Sequence, residues 1–258
     1  MRSPARYSRS VSSPEVRVTV SSDDQREDPL VLLQDRVFTR LSETLRRTQP
    51  DAAAAFDAHP PRSSPNAMAT FVARHNLRSV QPWAQLATRV LNVRLGLDEL
   101  AATQALLARA SNGREAWVLL QHSFVASASC LERVDALLKA ASRGKKPVVG
   151  TDITDALTAR VSKMRNSRAL DELRNGAAHG LHAIPDGYGA SPEKLLGWEF
   201  MALNGETGSE MLLDFYDRGW ASYTRRVERA RRFAVQVVAL TLKVTTTLLD
   251  QIPEPPKN

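Results

Sequence analysis

The 258-residue sequence contains a single cysteine, Cys130. One thiol cannot close an internal disulfide or build a cysteine-based zinc site, and such usage fits a reducing, cytoplasmic compartment. Glycine occupies only 12 positions, and none of them forms a phosphate-cradling loop. Neither a Walker-type nor a dinucleotide-binding glycine pattern occurs, and "PDGYG" and "NGETG" read as turns. The sequence also lacks the Gly-x-Ser-x-Gly elbow of serine hydrolases and the His-Glu-x-x-His helix of zinc proteases. Long apolar runs are missing too. The most apolar stretch, "FAVQVVALTLKVTTTLL", is interrupted by Gln236 and Lys243 and reads as an amphipathic helix rather than a membrane span. The basic, serine-rich start "MRSPARYSRSVSSP" has no apolar core of the kind a secretion signal needs.

What remains is an ordinary globular composition, 43% hydrophobic and 24% charged, in a chain long enough to bury a sizeable core. The formal net charge is +7 and the isoelectric point about 9.9, which favours a polyanionic partner. Arginine supplies 28 of the 35 basic residues, so most of the positive charge comes as planar forks suited to phosphate.

Punctuation along the chain suggests a bundle of helices. Residues 1–28 are Ser-, Pro- and charge-rich, with one strand-like run, "VRVTV", and read as a disordered arm. Residues 29–110 form an N-terminal helical region. Leu30, Leu33, Val37, Leu41 and Leu45 recur at helical spacing, "HPPRSSPNA" breaks the pattern, residues 66–80 fit a short helix, and Pro82 starts a long one that reaches "SNG" at 111–113. A second helical domain spans 111–252. Trp117, Leu120, Phe124, Ala128, Leu131, Val134 and Leu138 make an apolar stripe that ends at "RGKKPVVG". Thr151, with Asp152 and Asp155, is expected to cap the next helix, whose inner face carries Ile153, Leu157, Val161 and Met164. Residues 181–218 read as an insertion in which "WEFMAL-NGETGS-EMLLDFY" has the pattern of a hairpin. The last helix runs from about Trp220 to Asp250 and stops at "PEPP". The expected fold class is therefore all-α, a helical bundle with up-down connections and an insertion before its last long helix.

The stretch "DELRNGAAHGLH", 171–182, holds two of the five histidines. On a helical wheel Leu170, Leu173 and Ala177 fall within roughly 60° and mark a buried side, with His179 nearly opposite. Asn175 lies about 40° from His179 as its i,i+4 neighbour, and Arg174 about 140° away. Two readings stand. In one, this is a helix C-terminus with Gly180 as cap and His179 favourable at the negative end of the dipole. In the other, the small residues between them leave Arg174, Asn175 and His179 clear to meet a ligand.

"RNGAAH" at 174–179 resembles the Arg-x4–6-His signature of the HEPN superfamily, including the polar residue that follows the arginine. The resemblance covers roughly residues 111–250 and is carried by the motif, set late in a helical bundle with a long helix after it. The insertion departs from the smallest members. The resemblance implies an all-α HEPN-like bundle, a homodimer, and a metal-independent endoribonuclease of a toxin or antiviral system, with an antitoxin or other defence protein as partner. It equally allows a non-catalytic module that binds a nucleotide or scaffolds a partner. RNA cleavage without metal uses the neighbouring 2′-hydroxyl as nucleophile, so one group must take its proton and another must protonate the leaving oxygen. In that chemistry His179 serves as acid or base, Arg174 holds the scissile phosphate, and Asn175 positions the imidazole or the phosphate. A single histidine does not easily do both jobs. Two copies meeting across a twofold axis can.

Other polar residues carry weaker signals. His182 forms a His-x-x-His pair with His179, but no cysteine or carboxylate cluster completes a metal site, so neither metal nor cofactor is expected. His122 reads as a surface or packing residue, and His59 and His75 stand beside loop signals. Arg225, Arg226 and Arg229, in "TRRVERARRF", form either a solvated helix face or an RNA-backbone track together with Lys145 and Lys146 of "RGKK".

Overall fold

A computed structural model of the chain describes residues 28–77, 81–110, 113–143, 147–167 and 209–254. Helices account for 86% of the described residues, and none of those residues lies in a strand. The all-α expectation holds at that level. Chain order gives α1 (Pro29–Thr48), α2 (Pro50–Ala58), α3 (Pro65–Arg74), α4 (Gln81–Arg109), α5 (Gly113–Ser142), α6 (Thr151–Arg165) and α7 (Ser209–Gln251).

Local chemistry explains where the first helices start and stop. The Asp28 side chain accepts a hydrogen bond from the Leu30 amide at 2.9 Å, and Pro29 occupies the first turn, where its missing N–H costs nothing. Pro50 ends α1 and starts α2, which folds back so that the Ser42 hydroxyl donates to Asp57 at 2.7 Å and Arg46 pairs with the same carboxylate at 2.8 Å. Ser64 caps α3 through the Ala67 amide, again with proline next in the chain. At the far end of α3, Asn76 takes a left-handed φ of 48°, and the Leu77 amide reaches back to the Val72 carbonyl at 3.2 Å. That is the six-to-one bond of a Schellman stop, and it drops Leu77 into the core. Phe38, Phe56 and Phe71 stack in series, with centroids 5.7 and 5.4 Å apart, and staple these three helices together.

The remaining helices form the trunk. Helices α4 and α5 run antiparallel and make the most extensive contact of the fold. Arg133 crosses onto α4, pairing with Glu99 at 2.9 Å and donating to the Asn92 carbonyl at 3.4 Å. Gly96 makes room for it: a Cβ there would sit 3.0 Å from the Arg133 Cδ. Gln104 reaches across to donate to the buried Ser123 hydroxyl. Helix α7 lies parallel to α5, because Phe124 meets Phe233 (centroids 6.3 Å apart) and, further along both chains, Cys130 meets Thr241 at 3.8 Å. Parallel neighbours require a long crossover. Its described part is α6, which returns along α5 and brings Arg165 to 3.8 Å from Asp135.

Buried residues on both sides of position 110 belong to one apolar cluster, so α4 and α5 share a core. Helix α1 closes this core. Its Arg36 donates to the carbonyls of Leu249 (2.6 Å) and Ile252 (3.0 Å), and Arg40 to those of Pro253 (2.9 Å) and Glu254 (2.8 Å). The last carbonyls of a helix lack intrahelical partners and carry partial negative charge, so the Arg36 guanidinium satisfies them well, while Arg40 ties down the chain just beyond the helix.

Two expectations need correction. Glu210–Tyr216, read as the second strand of a hairpin, are helical, and α7 begins at Ser209 rather than near Trp220. Met, Leu and Glu are good helix formers, and a short apolar run joined to a helix extends it more readily than it starts a strand. The insertion therefore gives up residues 209–218 to α7. Thr151 is also not the cap of α6. Gly150 holds that position with no side-chain cap bond, and Thr151 is the first helical residue. Val148 and Val149 fix the entry instead, both donating to the Ala141 carbonyl, at 3.0 and 3.1 Å.

Candidate functional site

Arg174, Asn175, His179 and His182 lie outside the described residues, as do Lys145 and Lys146. The described chain supplies their surroundings. Helix α6 ends at Arg165, its last turn carrying Lys163 and Arg165. The chain re-enters description at Ser209, on the helix that bears the arginine cluster.

Arg225 and Arg226 belong to α7, and Arg229, Arg231 and Arg232 stand exposed on it. Arg232 pairs with Glu228 at 2.8 Å, an i,i+4 bridge between exposed groups. The parallel register set by Phe124–Phe233 and Cys130–Thr241 places Arg229 beside about residue 120 of α5. Arg143, next to the "RGKK" lysines, is exposed at the end of α5, about 23 residues further on, or roughly 34 Å at helical rise. Val148, on the other side of those lysines, is tied to Ala141 at the same end. Arg229 and Arg143 thus stand near opposite ends of α5, and any single polyanion touching both within one chain must be extended.

His122 is exposed, one turn from each of the exposed Val118 and Val125. His59 and His75 follow the last residues of α2 and α3. Among the described residues no three His, Cys, Asp or Glu side chains gather as a metal site. Two titrating groups stand out, and both are structural. The Ser42 hydroxyl, with help from the Arg46 guanidinium, holds the Asp57 carboxyl below the usual carboxylate range against the opposing effect of burial. Burial pushes the Cys130 thiol up, which keeps it protonated and unreactive.

Residues 227–251 of α7 are long and apolar enough to reach across a bilayer core. Their apolar side, with Val237, Val244 and Leu248, is buried where α7 meets α1 and α5, while Gln236 and Lys243 face outward.

No family model, curated protein or solved structure matches the chain. Its functional reading therefore rests on its own residues.

Proposed function

We propose that the protein is a metal-independent endoribonuclease that works as a homodimer. The reading is carried by "RNGAAH", which sets Arg174, Asn175 and His179 within six residues between α6 and a long helix. Two observations support it. The described chain is mostly helical, as such a bundle requires, and exposed arginines crowd the helix that follows the motif.

The chemistry uses only these side chains. His179 of one copy takes the 2′-hydroxyl proton as the oxygen attacks phosphorus. The O2′–P bond forms and the P–O5′ bond breaks, leaving a 2′,3′-cyclic phosphate and a 5′-hydroxyl. His179 of the second copy protonates the departing O5′. Arg174 grips the non-bridging oxygens with its planar fork and stabilises the charge that builds there, and Asn175 orients the imidazole. Arg225, Arg226 and Arg229, with Lys145 and Lys146, hold the backbone on either side. The wide spacing of Arg143 and Arg229 favours an extended RNA over a single nucleotide. A toxin or antiviral role, with an antitoxin or defence protein as partner, follows from the same reading.

The test is cleavage of RNA in EDTA with analysis of the ends. Cyclic phosphate termini are expected, and His179→Ala should lower the rate by about 10² or more while RNA affinity stays nearly intact. A dimer of one wild-type and one His179→Ala chain keeps only one of the two imidazoles, so mixing excess His179→Ala chains with wild type should lower activity below what dilution alone gives. Wild-type protein that binds a nucleotide through these residues yet cleaves no RNA would replace the enzyme with a non-catalytic nucleotide-binding or scaffold module.

A further inference from the structure

Two of the described helices show how this chain charges its outer faces. Helix α4 exposes Asp98 and Glu99 with Arg109, and α6 exposes Asp152 and Asp155 with Arg160 and Lys163. Both faces mix the signs. One line along α7 does not. On a wheel of about 100° per residue with Phe233 at zero, the buried residues Phe233, Val237, Thr241, Val244 and Leu248 centre near 40°. From residue 218 to residue 243, the positions between about 250° and 330° are Arg218, Arg225, Arg229, Arg232, Gln236 and Lys243. No carboxylate interrupts them. Arg229, Arg232, Gln236 and Lys243 are exposed. Glu228 lies about 70° from the centre of the line and pairs with Arg232, but an ion pair between exposed groups is worth little and yields readily to a phosphate. Arg226 and Arg231 fall outside the line, about 90° and 130° from its centre.

The line ends close to where the chain departs for the candidate motif. The register of α5 with α7, set by Phe124 with Phe233 and Cys130 with Thr241, puts Asp135 level with about residue 245. Arg165, in the last turn of α6, reaches Asp135, so α6 ends near the level of Lys243. The chain therefore sets out towards "RNGAAH" from the Lys243 end of the line.

We propose that this line is a track for the phosphate backbone of one nucleic-acid strand, with Arg232, Gln236 and Lys243 as binding residues beyond the cluster at the start of the helix. Like charges in file repel one another, and a polyanion that sheds counterions as it binds relieves that repulsion. The line is one cation wide, so it serves one row of phosphates rather than the two rows of a duplex. Arg225 to Lys243 spans about 27 Å at helical rise, the length of about eight nucleotides at ~3.4 Å each in a stacked strand. Only the identity of that strand as RNA rests on the proposed ribonuclease.

A labelled, single-stranded 2′-O-methyl oligoribonucleotide of about ten nucleotides tests the track on the full chain, since its blocked 2′-oxygen cannot attack phosphorus. Anisotropy in EDTA over a range of salt should show steep salt dependence with wild-type protein. Lys243→Gln and Arg232→Gln should each weaken binding and lower the slope of log K against log salt by about 0.7. Arg231→Gln and Arg109→Gln remove the same charge from exposed positions off the line and should leave the slope as it was. Equal effects from all four variants would reduce the track to net charge and overturn it. No binding by wild type, or unchanged binding in Lys243→Gln and Arg232→Gln, overturns it as well. A lowered melting temperature with unchanged binding does the same, and assigns the line to residues 168–208 of the chain itself, which carry six carboxylates against three basic residues. Wild-type protein that holds the strand on this line yet cuts no RNA overturns the ribonuclease and keeps the track. RNA cut at the normal rate by the Arg232→Gln/Lys243→Gln chain overturns the track and keeps the ribonuclease.

Discussion

The two halves of the α4–α5–α7 trunk are built differently. In one half, helices α1 and α3 pack on the trunk with α2 held against α1, and Val37, Phe38, Leu41, Val90, Leu137, Leu138 and Leu248 are sealed from solvent. In the other half lie Leu95, Leu106, Val118, Val125 and Val235, every large hydrophobic residue that is exposed among those described. The same half carries the arginines of α7, and the crossover from α6 re-enters there. The contrast separates two jobs. The wrapped half supplies the cooperative core, and the bare half supplies the surfaces that can meet a second chain or a polyanion.

The sharpest test of that division is a pair of leucine truncations. Leu41→Ala should cost about 2–5 kcal/mol, because Leu41 is fully enclosed and its neighbours can only partly collapse into the space. Leu106→Ala should change monomer stability by no more than about 0.5 kcal/mol, since its side chain is already half in water. Urea unfolding of both variants decides the point. Comparable losses would mean that the two halves share one density of packing.

A smaller effect is expected at the clamp that closes the wrapped half. Arg36 is only 20% exposed and donates to two carbonyls at the end of α7. Arg36→Ala should cost about 1–3 kcal/mol, as partly buried acceptors lose a charged donor. Amide exchange should quicken in the last turns of α7 and leave the α4–α5 contact as it was. Stability unchanged from wild type would show that water replaces the guanidinium without loss.

The sequence made local features legible and long-range ones not. The apolar spacing of α1, α5 and α7 announces itself, because a stripe depends only on near neighbours. The capping bonds of Asp28 and Ser64 were not anticipated, and Thr151, expected as a cap, is the first helical residue of α6. Helix α2 did not announce itself, since the alanine-rich "PDAAAAFDA" has little periodicity and owes its place to Phe56 and Asp57 meeting α1. The run "EMLLDFY" was ambiguous between strand and helix on its own. The parallel register of α5 and α7 was hidden as well, because it depends on pairs more than a hundred residues apart, such as Cys130 with Thr241. The candidate site is the opposite case: Arg174, Asn175 and His179 are read from the sequence alone and lie outside the described residues.

The smallest effect should come from Asp57, at the edge of the wrapped half. Its carboxylate accepts from Ser42 and Arg46, so its folded pKa lies below its unfolded one. A depressed carboxyl contributes stability above the unfolded pKa and loses it as pH falls through the folded value. With a side chain 40% exposed, the contribution is screened and amounts to a few tenths of a kcal/mol. Asp57→Asn keeps the shape and an acceptor for Ser42 but removes the charge. The variant should be slightly less stable than wild type at pH 7, and the gap should narrow as pH falls and the Asp57 carboxylate takes up its proton. Urea midpoints at a series of pH values, measured on the same preparations, resolve a difference of this size only if the slopes match. A gap that does not narrow would assign the loss to hydrogen-bond geometry at Ser42, and the ion pair with Arg46 would then contribute nothing to holding α2 against α1.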